Sequence, residues 1–243
     1  MVEPVTRTAP RSLRGTILTQ QWRELTFLHW PVAPDEVAPL LPAGTTPDLH
    51  DGVSWVGLVA FRMWRIGLAR TPGLPYLGTF AETNVRLYSV DGHGRRGVVF
   101  RSLEATRLLP VLVARTMFSL PYMWSRMQLA HDGNRITYTS RRRWPRDAGK
   151  PASRLRIKVG EAIDEPTPLE DFLTARWGLH VDWRGRTLYL PNAHPAWPLH
   201  KAEIEDLNDD LVRAAGLPTV AGPPVSVLYS PGVPVRFGRP LRA

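Results

Sequence analysis

Residues 80–105 read FAETNVRLYSVDGHGRRGVVFRSLEA, with an Asp-Gly pair at 91–92 between two apolar segments. From Thr83 to Val90, side chains alternate in character with the period of two that a β-strand requires. Asp-Gly pairs tolerate the positive φ angles of tight turns, and a second strand is predicted from Gly97 to Leu103. This stretch therefore predicts an antiparallel β-hairpin.

The first strand of this hairpin has two different faces. One face carries Glu82, Asn84, Arg86 and Tyr88, and the other carries Thr83, Val85, Leu87 and Ser89. The polar row is either a solvated sheet face or the wall of a binding site, and alternation alone does not decide between them.

The rest of the chain continues the pattern of short apolar segments between turns. The 24 prolines and 19 glycines are scattered along the sequence, which is typical of many strands joined by turns. A second hairpin is predicted at HDGN, residues 131–134. Further strands are predicted at Trp22–Trp30, Ser54–Phe61, Met123–Leu129, Arg135–Arg143, Arg154–Val159, Thr187–Leu190 and Ser226–Tyr229.

Three segments have helical patterns. TPLEDFLTARWG (167–178) begins with a capping box formed by Thr167 and Glu170. AEIEDLNDDLVRAAGLP (202–218) places its apolar residues on one helical stripe. PVLVARTMFSL (110–120) is predicted to be a helix between two prolines. The expected architecture is mainly antiparallel β with three or four helices.

Composition indicates a packed globular protein. The chain has 243 residues, of which 43% are hydrophobic and 22% are charged, and one large all-β domain fits this length. Cysteine is absent, which excludes disulfides and thiolate chemistry. The N-terminus lacks the apolar segment of a signal peptide, and no stretch reaches roughly 18 uncharged apolar residues. We therefore expect a cytoplasmic protein with no membrane partner.

The formal charge of +9 raises the question of nucleic-acid binding. The 28 arginines and three lysines are spread along the chain, and no nucleic-acid-binding motif accompanies them. Nucleic acid is therefore the less favoured partner. Glycine-rich phosphate loops, Gly-x-Ser-x-Gly elbows and His-Glu-x-x-His pairs are also absent. No metal or cofactor is predicted.

Eight segments, taken together and in order, resemble one protein family. They are QQWRELTFLHWPV (20–32), LPAGTTPDLHDGVSWVGLVAFRM (41–63), FAETNVRLYSVDGHGRRGVVFRSLEA (80–105), ARTMFSLPYMWSRM (114–127), YTSRRR (138–143), DFLTARW (171–177), HPAWPL (194–199) and SPGVPVRF (230–237). The chain resembles the YqjF-like uncharacterised proteins, which are similar in fold to acetoacetate decarboxylase. The resemblance implies one domain over residues 18–243, with a closed antiparallel β-barrel, flanking strands and an internal cavity. Residues 1–17 are expected to form a flexible N-terminal segment.

Acetoacetate decarboxylase uses a Schiff-base lysine beside a second lysine and a glutamate. A neighbouring cation lowers the pKa of the reactive amine, which must be neutral to attack a ketone. In this chain Glu82 matches the glutamate-bearing strand, but Tyr122 and Met123 replace the paired lysines expected after Pro121. Schiff-base decarboxylation is therefore not expected, despite the resemblance.

The resemblance implies that the polar face of the strand carrying Glu82 points into the internal cavity. Glu82 is the candidate acid or base, and the candidate ligand-binding residues are Asn84, Arg86, Tyr88, Arg115, Tyr122, Arg126 and Trp197. An unpaired arginine in the cavity would bind an anionic head group in two-pronged fashion. The alternative is a structural network in which Glu82 and Arg86, four residues apart, form a buried ion pair.

Three functions follow from these alternatives. The first is a small-molecule-binding protein that acts as a lyase-like enzyme on a carbonyl or carboxylate compound. The second is a carrier or sensor that uses the same cavity without turnover. The third is nucleic-acid binding through the basic surface. The sequence leaves ligand identity and oligomeric state open, with a homo-oligomer as one alternative.

Overall fold

A computed structural model describes residues 1–68, 71–108, 111, 115, 119–145, 149–217, 219–220 and 222–243. Thirteen strands form one continuous sheet. They are β1 Thr16–Val32, β2 Thr45–Pro47, β3 Ser54–Leu68, β4 Phe80–Asp91, β5 Arg96–Ala105, β6 Tyr122–Asp132, β7 Arg135–Trp144, β8 Ala152–Ala162, β9 Gly178–Trp183, β10 Arg186–Ala193, β11 His200–Asp209, β12 Ser226–Gly238 and β13 Leu241–Arg242. Both predicted hairpins are confirmed, as β4–β5 and β6–β7.

Nine of the strands close into a barrel in the order β5-β6-β7-β8-β11-β12-β1-β3-β4, and β4 pairs back onto β5. All neighbours in this ring are antiparallel except β5 and β6, which run parallel. An apolar core fills much of the barrel interior and includes Leu28, Val56, Leu58, Val85, Leu87, Ile136, Leu155 and Ile157, all almost completely buried. The expected mainly β barrel is confirmed.

Two further strands, β9 and β10, close a second ring against the same sheet. β9 pairs in parallel with β5 through Val98 and Leu179, and β10 pairs with β12 at Asn192–Phe237. The second ring runs β9-β5-β4-β3-β1-β12-β10 and shares five strands with the barrel. These shared strands have a buried environment on both faces, which explains why nearly every residue of β4 is buried.

The helices that lie wholly within the described residues are short and lie between strands. They are α1 Pro34–Val37, followed by a 3-10 turn at Ala38–Leu40, α2 Pro168–Thr174 and α3 Leu211–Ala214. The capping box of α2 is confirmed: Thr167 accepts from the Glu170 amide, and the Glu170 side chain accepts from the Thr167 amide. The predicted helix at 110–120 lies mostly outside the described residues.

The helix predicted over residues 202–218 is wrong for most of its length. Residues 202–209 belong to β11, and only α3 is helical. A bulge between Ile204 and Asp206 shifts the register, so that Ile204 and Leu207 pair with Ile157 and Leu155 of β8. A strand with a bulge places two inward residues three apart, which imitates helical spacing.

Residues 1–15 contain no strand or helix, but they contact the second ring. The Glu3 amide donates to the Gly94 carbonyl at 2.9 Å, and the Trp177 indole donates to the Thr6 carbonyl at 3.0 Å. The flexibility of this segment stays a prediction. Among the described helices, none has the length and apolar character needed to cross a membrane.

Candidate functional site

A cavity of about 480 Å³ lies within the second ring. Its wall is built from β1, β3, β4, β5, β9, β10 and β12, the first residue of β6, and the segments after β3, β5, α2 and β10. We call it the β4 cavity, because β4 carries three of its polar side chains. The polar members of its described lining are Gln20, Glu82, Asn84, Arg86, Tyr122, Thr174, Arg176, Asn192 and His194, and the others are apolar or glycine.

The two faces of β4 have separate roles. Val85 and Leu87 pack inside the nine-stranded barrel. Glu82, Asn84 and Arg86 face the opposite way and line the β4 cavity. The alternating polar row is thus the wall of an internal cavity, not a solvated sheet face.

Glu82 is a buried carboxyl group without a cationic partner among the described residues. Its side chain is 3% exposed, and Oε2 accepts a hydrogen bond from the Tyr122 hydroxyl at 3.0 Å. Burial raises the pKa of Glu82 to about 7, while hydrogen bonds from Tyr122 and Asn84 oppose this rise. Near neutral pH the group exists in both protonation states, which suits a general acid or base.

Tyr122 begins β6 at the position where the resemblance implies a reactive lysine. Burial raises the pKa of its hydroxyl well above the ordinary value, and the charge of Glu82 raises it further. Tyr122 therefore stays a neutral hydrogen-bond donor to Glu82. Arg115, a predicted ligand-binding residue, is not part of the described lining: it donates to the Tyr122 carbonyl at 2.7 Å and stacks over Trp144.

Arg86 is the second charged group of the β4 cavity, and it is 9% exposed. Its Nε donates to the Tyr88 hydroxyl and its Nη2 to the Leu173 carbonyl, both at 3.0 Å. Among the described residues it forms no ion pair with a carboxylate. The predicted Glu82–Arg86 ion pair is therefore wrong, because four residues along a strand span about 13 Å, at roughly 3.3 Å per residue.

Tyr88 supports Arg86 and does not itself belong to the described lining, contrary to its prediction as a ligand-binding residue. The hydroxyl donates to the Leu173 carbonyl at 3.0 Å and lies 2.7 Å from Nε2 of His29. This pattern assigns the imidazole proton to Nε2, so that the Tyr88 oxygen accepts from both His29 and Arg86. Burial, followed by the charges of Arg86 and Arg176, lowers the pKa of His29 well below its ordinary value. The imidazole is therefore neutral.

A second arginine of the lining, Arg176, is held by its own carboxylate. Its Nη1 pairs with Asp48, and its Nε donates to the Phe172 carbonyl at 2.9 Å. The guanidinium also lies over the rings of Tyr88 and Phe172, at 4.6 and 4.2 Å from their centroids. Arg176 therefore adds positive charge beside Arg86 but is already partly neutralised.

Aromatic rings form one side of the β4 cavity. Trp197, a predicted site residue, belongs to the lining and stacks on Trp22 at 6.0 Å with an interplanar angle of 9°. Its indole donates to the Thr174 carbonyl at 3.0 Å. His194 packs against Trp197 at 4.8 Å, and burial lowers the pKa of this imidazole to about 4. This side of the cavity is uncharged at neutral pH.

Several buried polar atoms of the lining have no hydrogen-bond partner among the described residues. They are Trp22 Nε1, Asn84 Oδ1, Arg176 Nη2 and Asn192 Oδ1. Native proteins leave few such atoms unsatisfied, because each costs about 1–3 kcal/mol. Two donors and two acceptors thus remain for a ligand or for water.

Arg126, another predicted site residue, is exposed and does not line the β4 cavity. Its neighbour Ser125 is buried and donates to Oε2 of Glu104 at 2.5 Å. Successive strand residues point to opposite faces, so Arg126 faces outward. The three lysines, Lys150, Lys158 and Lys201, are also exposed.

Sequence analysis did not identify Gln20, Thr174, Arg176 and Asn192, which come from distant parts of the chain. Arg176 offered one signal, since an arginine within the apolar stretch DFLTARWG calls for a specific buried partner. Among the described residues, no group of three or more histidine and carboxylate side chains is arranged to hold a metal ion.

Comparison with known sequences identifies relatives along most of the chain. Residues 19–234 match the family DUF2071, described as an uncharacterized conserved protein (COG2071). The chain is 31% identical over 201 residues to the uncharacterized protein YqjF of Bacillus subtilis (strain 168), covering 83% of the chain and 82% of that relative. The YqjF-like resemblance is confirmed.

Similar solved structures share the acetoacetate decarboxylase-like fold. An acetoacetate decarboxylase-like enzyme from Sphingomonas wittichii RW1 has a TM-score of 0.64 at 14% identity and covers 97% of this chain and 96% of its own. Acetoacetate decarboxylase from Legionella pneumophila has a TM-score of 0.61 at 14% identity, with 97% and 91% covered. The enduracididine biosynthesis enzyme MppR, complexed with pyruvate, has a TM-score of 0.61 at 12% identity, with 96% and 93% covered. At these identities the likeness establishes the fold alone.

Proposed function

Because the chain belongs to the DUF2071 family, and carries a cavity with both an acid and a cation, we propose that it binds a small organic anion there and catalyses proton transfer on a carbonyl or carboxylate compound. One observation carries this proposal. Glu82 and Arg86 line the same cavity, yet neither neutralises the other. In a structural ion pair each group would be neutralised by the other, whereas these two groups remain available to a ligand.

Arg86 is the anion-binding residue in this proposal. An arginine has five N–H groups, and the hydrogen bonds of Arg86 to Tyr88 and to the Leu173 carbonyl use two of them, so three have no acceptor among the described residues. A carboxylate matches this guanidinium geometrically and accepts two parallel hydrogen bonds. Tyr88 and the Leu173 carbonyl fix the orientation of Arg86 before the ligand arrives, which limits the entropy lost on binding.

Glu82 is the proton-transfer residue. With a pKa of about 7 it can remove a proton from carbon next to a carbonyl group and return it. Tyr122 is a positioning residue, because its hydroxyl donates to Glu82 and holds the carboxyl in one orientation. No lysine belongs to the described lining of the cavity, so this proton transfer proceeds without a Schiff base. The pyruvate complex of MppR supports the choice of keto acids as test compounds.

Hydrogen–deuterium exchange tests the proposal directly. In D₂O, proton NMR follows loss of the protons on the carbon next to the ketone in pyruvate and 2-oxooctanoate. We expect the protein to accelerate exchange of at least one compound, and Glu82→Gln to reduce that rate by 10²-fold or more, as removal of a general base does. Glu161→Gln, an exposed carboxylate on β8, is the matched control and retains full activity.

The carrier alternative predicts a different result. A carrier binds the compounds but accelerates no exchange, and Glu82→Gln then changes only affinity. No acceleration with either keto acid, at saturating concentration confirmed by calorimetry, would overturn the proposed chemistry and leave a binding protein.

A further inference from the structure

We propose that the ligand of the β4 cavity is an amphiphilic monocarboxylate, with its carboxylate on Arg86 and an extended apolar tail running towards the loop between β3 and β4. This inference deepens the proposed function and rests on its assignment of Arg86 as the anion-binding residue. Four features of the cavity support it: the apolar lining beside this loop, the length of the β4 wall, the exposed leucines at the rim, and the volume.

Apolar side chains predominate at the end of the wall beside the β3–β4 loop. Val59 and Phe61 pair with Asn84 and Glu82, but every described lining residue from Met63 to Phe80 is apolar or glycine: Met63, Ile66, Leu68, Leu74, Leu77, Gly78 and Phe80. Gln20, which lies beside this end on β1, is polar but uncharged. The charged residues Glu82, Arg86 and Arg176 come only after this segment of the chain. A small keto acid is polar along its whole length and matches only the charged part of such a wall. An amphiphile matches both the charged part and the apolar part.

The β4 wall separates the two parts. Phe80 lies beside the loop, and Arg86 lies six residues further along the strand, which corresponds to about 20 Å at roughly 3.3 Å per residue. The order along this face is Phe80, Glu82, Asn84 and Arg86. A carboxylate on Arg86 therefore directs the tail past Asn84 and Glu82 towards Phe80.

The rim of the apolar part exposes leucine side chains. Leu68, Leu74 and Leu77 are 68%, 54% and 37% exposed, and all three also line the cavity. Leu68 ends β3, and the loop that carries the other two is fixed to β3, because Leu74 N donates to the Ile66 carbonyl at 2.9 Å and Ile66 N donates to the Gly78 carbonyl at 3.0 Å. A ligand tail that reaches the rim would remove this apolar surface from water.

The volume of the cavity exceeds the need of a short acid. About 480 Å³ falls within the roughly 300–1,000 Å³ of pockets that bind drug-sized ligands. It equals roughly sixteen water volumes of about 30 Å³ each. Pyruvate or acetoacetate would fill only a small part, and the remaining apolar wall would contribute nothing to binding.

Isothermal titration calorimetry with butyrate, hexanoate, octanoate and decanoate tests this inference. Each methylene buried in the apolar part should strengthen binding about fourfold, hence roughly fifteenfold for each step of the series. Octan-1-ol, which has the tail without the charge, should bind at least roughly tenfold more weakly than octanoate. This comparison uses the unmodified protein and does not depend on any variant folding.

Two substitutions locate the ends of the ligand. Arg86→Met should reduce octanoate affinity to that of octan-1-ol, and it leaves no carboxylate of the described residues without its partner. Leu74→Ser should weaken decanoate but not butyrate, and Leu49→Ser, an exposed leucine outside the lining, should change neither. Melting temperatures confirm that each variant is folded.

Two results would overturn the inference: affinity that does not rise with chain length, or octan-1-ol binding as tightly as octanoate. Either outcome is independent of the exchange experiment. If the protein accelerates exchange but affinity does not depend on chain length, the amphiphilic ligand is rejected and the proposed proton transfer stands. If affinity rises with chain length but no exchange occurs, the amphiphilic ligand stands and the proposed proton transfer is rejected.

Discussion

Glu82 and Arg86 lie on the same face of β4 and line the same cavity, but each binds a neutral partner in place of the other. The Glu82 carboxyl accepts from Tyr122, and the Arg86 guanidinium donates to Tyr88 and to the Leu173 carbonyl. A buried carboxyl and a buried guanidinium normally pair, since isolated buried charges are unstable. Keeping them apart leaves Glu82 protonatable near pH 7 and leaves Arg86 with free hydrogen-bond donors.

Glu82→Gln should stabilise the protein at neutral and alkaline pH relative to the wild type. The folded pKa of about 7 lies above the ordinary value of 4.5, so the wild-type protein loses stability as pH rises from about 4.5 to about 7. The loss in the free energy of unfolding amounts to about 3 kcal/mol, at roughly 1.4 kcal/mol for each pKa unit. The Glu82→Gln variant does not lose this stability, because glutamine does not ionise. Urea unfolding of both proteins between pH 4 and pH 9 measures the difference. The buried histidines titrate in both proteins, so their contribution cancels.

The same substitution at the other buried glutamate of this region should have the opposite effect. Glu104 pairs with Arg142 at 2.5 Å and accepts from Ser125, and both charged side chains are almost fully buried. Glu104→Gln leaves a buried arginine without its counter-charge and should lower the free energy of unfolding by about 3–5 kcal/mol. If both variants were destabilised equally at pH 8, Glu82 would be a paired structural carboxylate.

Tyr88→Phe should weaken octanoate binding roughly tenfold, because Arg86 loses the hydroxyl that orients it. The variant should also lose about 1–3 kcal/mol of stability, since His29 loses the same partner. Tyr189→Phe is the matched control. Its buried hydroxyl accepts from Arg11 at 2.8 Å and donates to the Trp177 carbonyl at 2.9 Å, but lies outside the described lining. Calorimetry should find a comparable loss of stability there with unchanged affinity; equal affinity losses would contradict a positioning role for Tyr88.

Borohydride should trap no Schiff base with pyruvate or acetoacetate. The three lysines are exposed and lie outside the described lining of the β4 cavity, where Tyr122 occupies the place of the expected amine. Intact-mass and peptide mass spectrometry after reduction measure this. A stoichiometric adduct on one lysine would show that the chain retains Schiff-base chemistry at another residue.

Local sequence patterns predicted the strands and both hairpins, because alternation and Asp-Gly turns act over a few residues. The same local reasoning misassigned β11, where the bulge at 204–206 changed the apparent period. It also treated Glu82 and Arg86 as neighbours, although strand geometry separates them. Local patterns determine which side chains share a face, but not the distances between them.

The position of the cavity depends on contacts that no local pattern reveals. Pairing of β5 with β9 and of β10 with β12 creates the second ring, and these pairs join residues that are distant in sequence. This ring brings Arg176 and Asn192 to the Glu82 side of β4. Arg126 was predicted on the wrong face because the register of β6 was not known from sequence.

The most direct measurement is the pKa of Glu82 itself, by carbon-13 NMR of protein labelled at glutamate carboxyl groups and assigned by difference from Glu82→Gln. The unpaired arrangement predicts a titration midpoint of about 7 in the free protein. It further predicts a rise when octanoate is added, because a carboxylate on Arg86 brings negative charge into the same cavity. A midpoint at or below the ordinary value, unchanged by octanoate, would show that Glu82 is neutralised by a cation and would contradict the account.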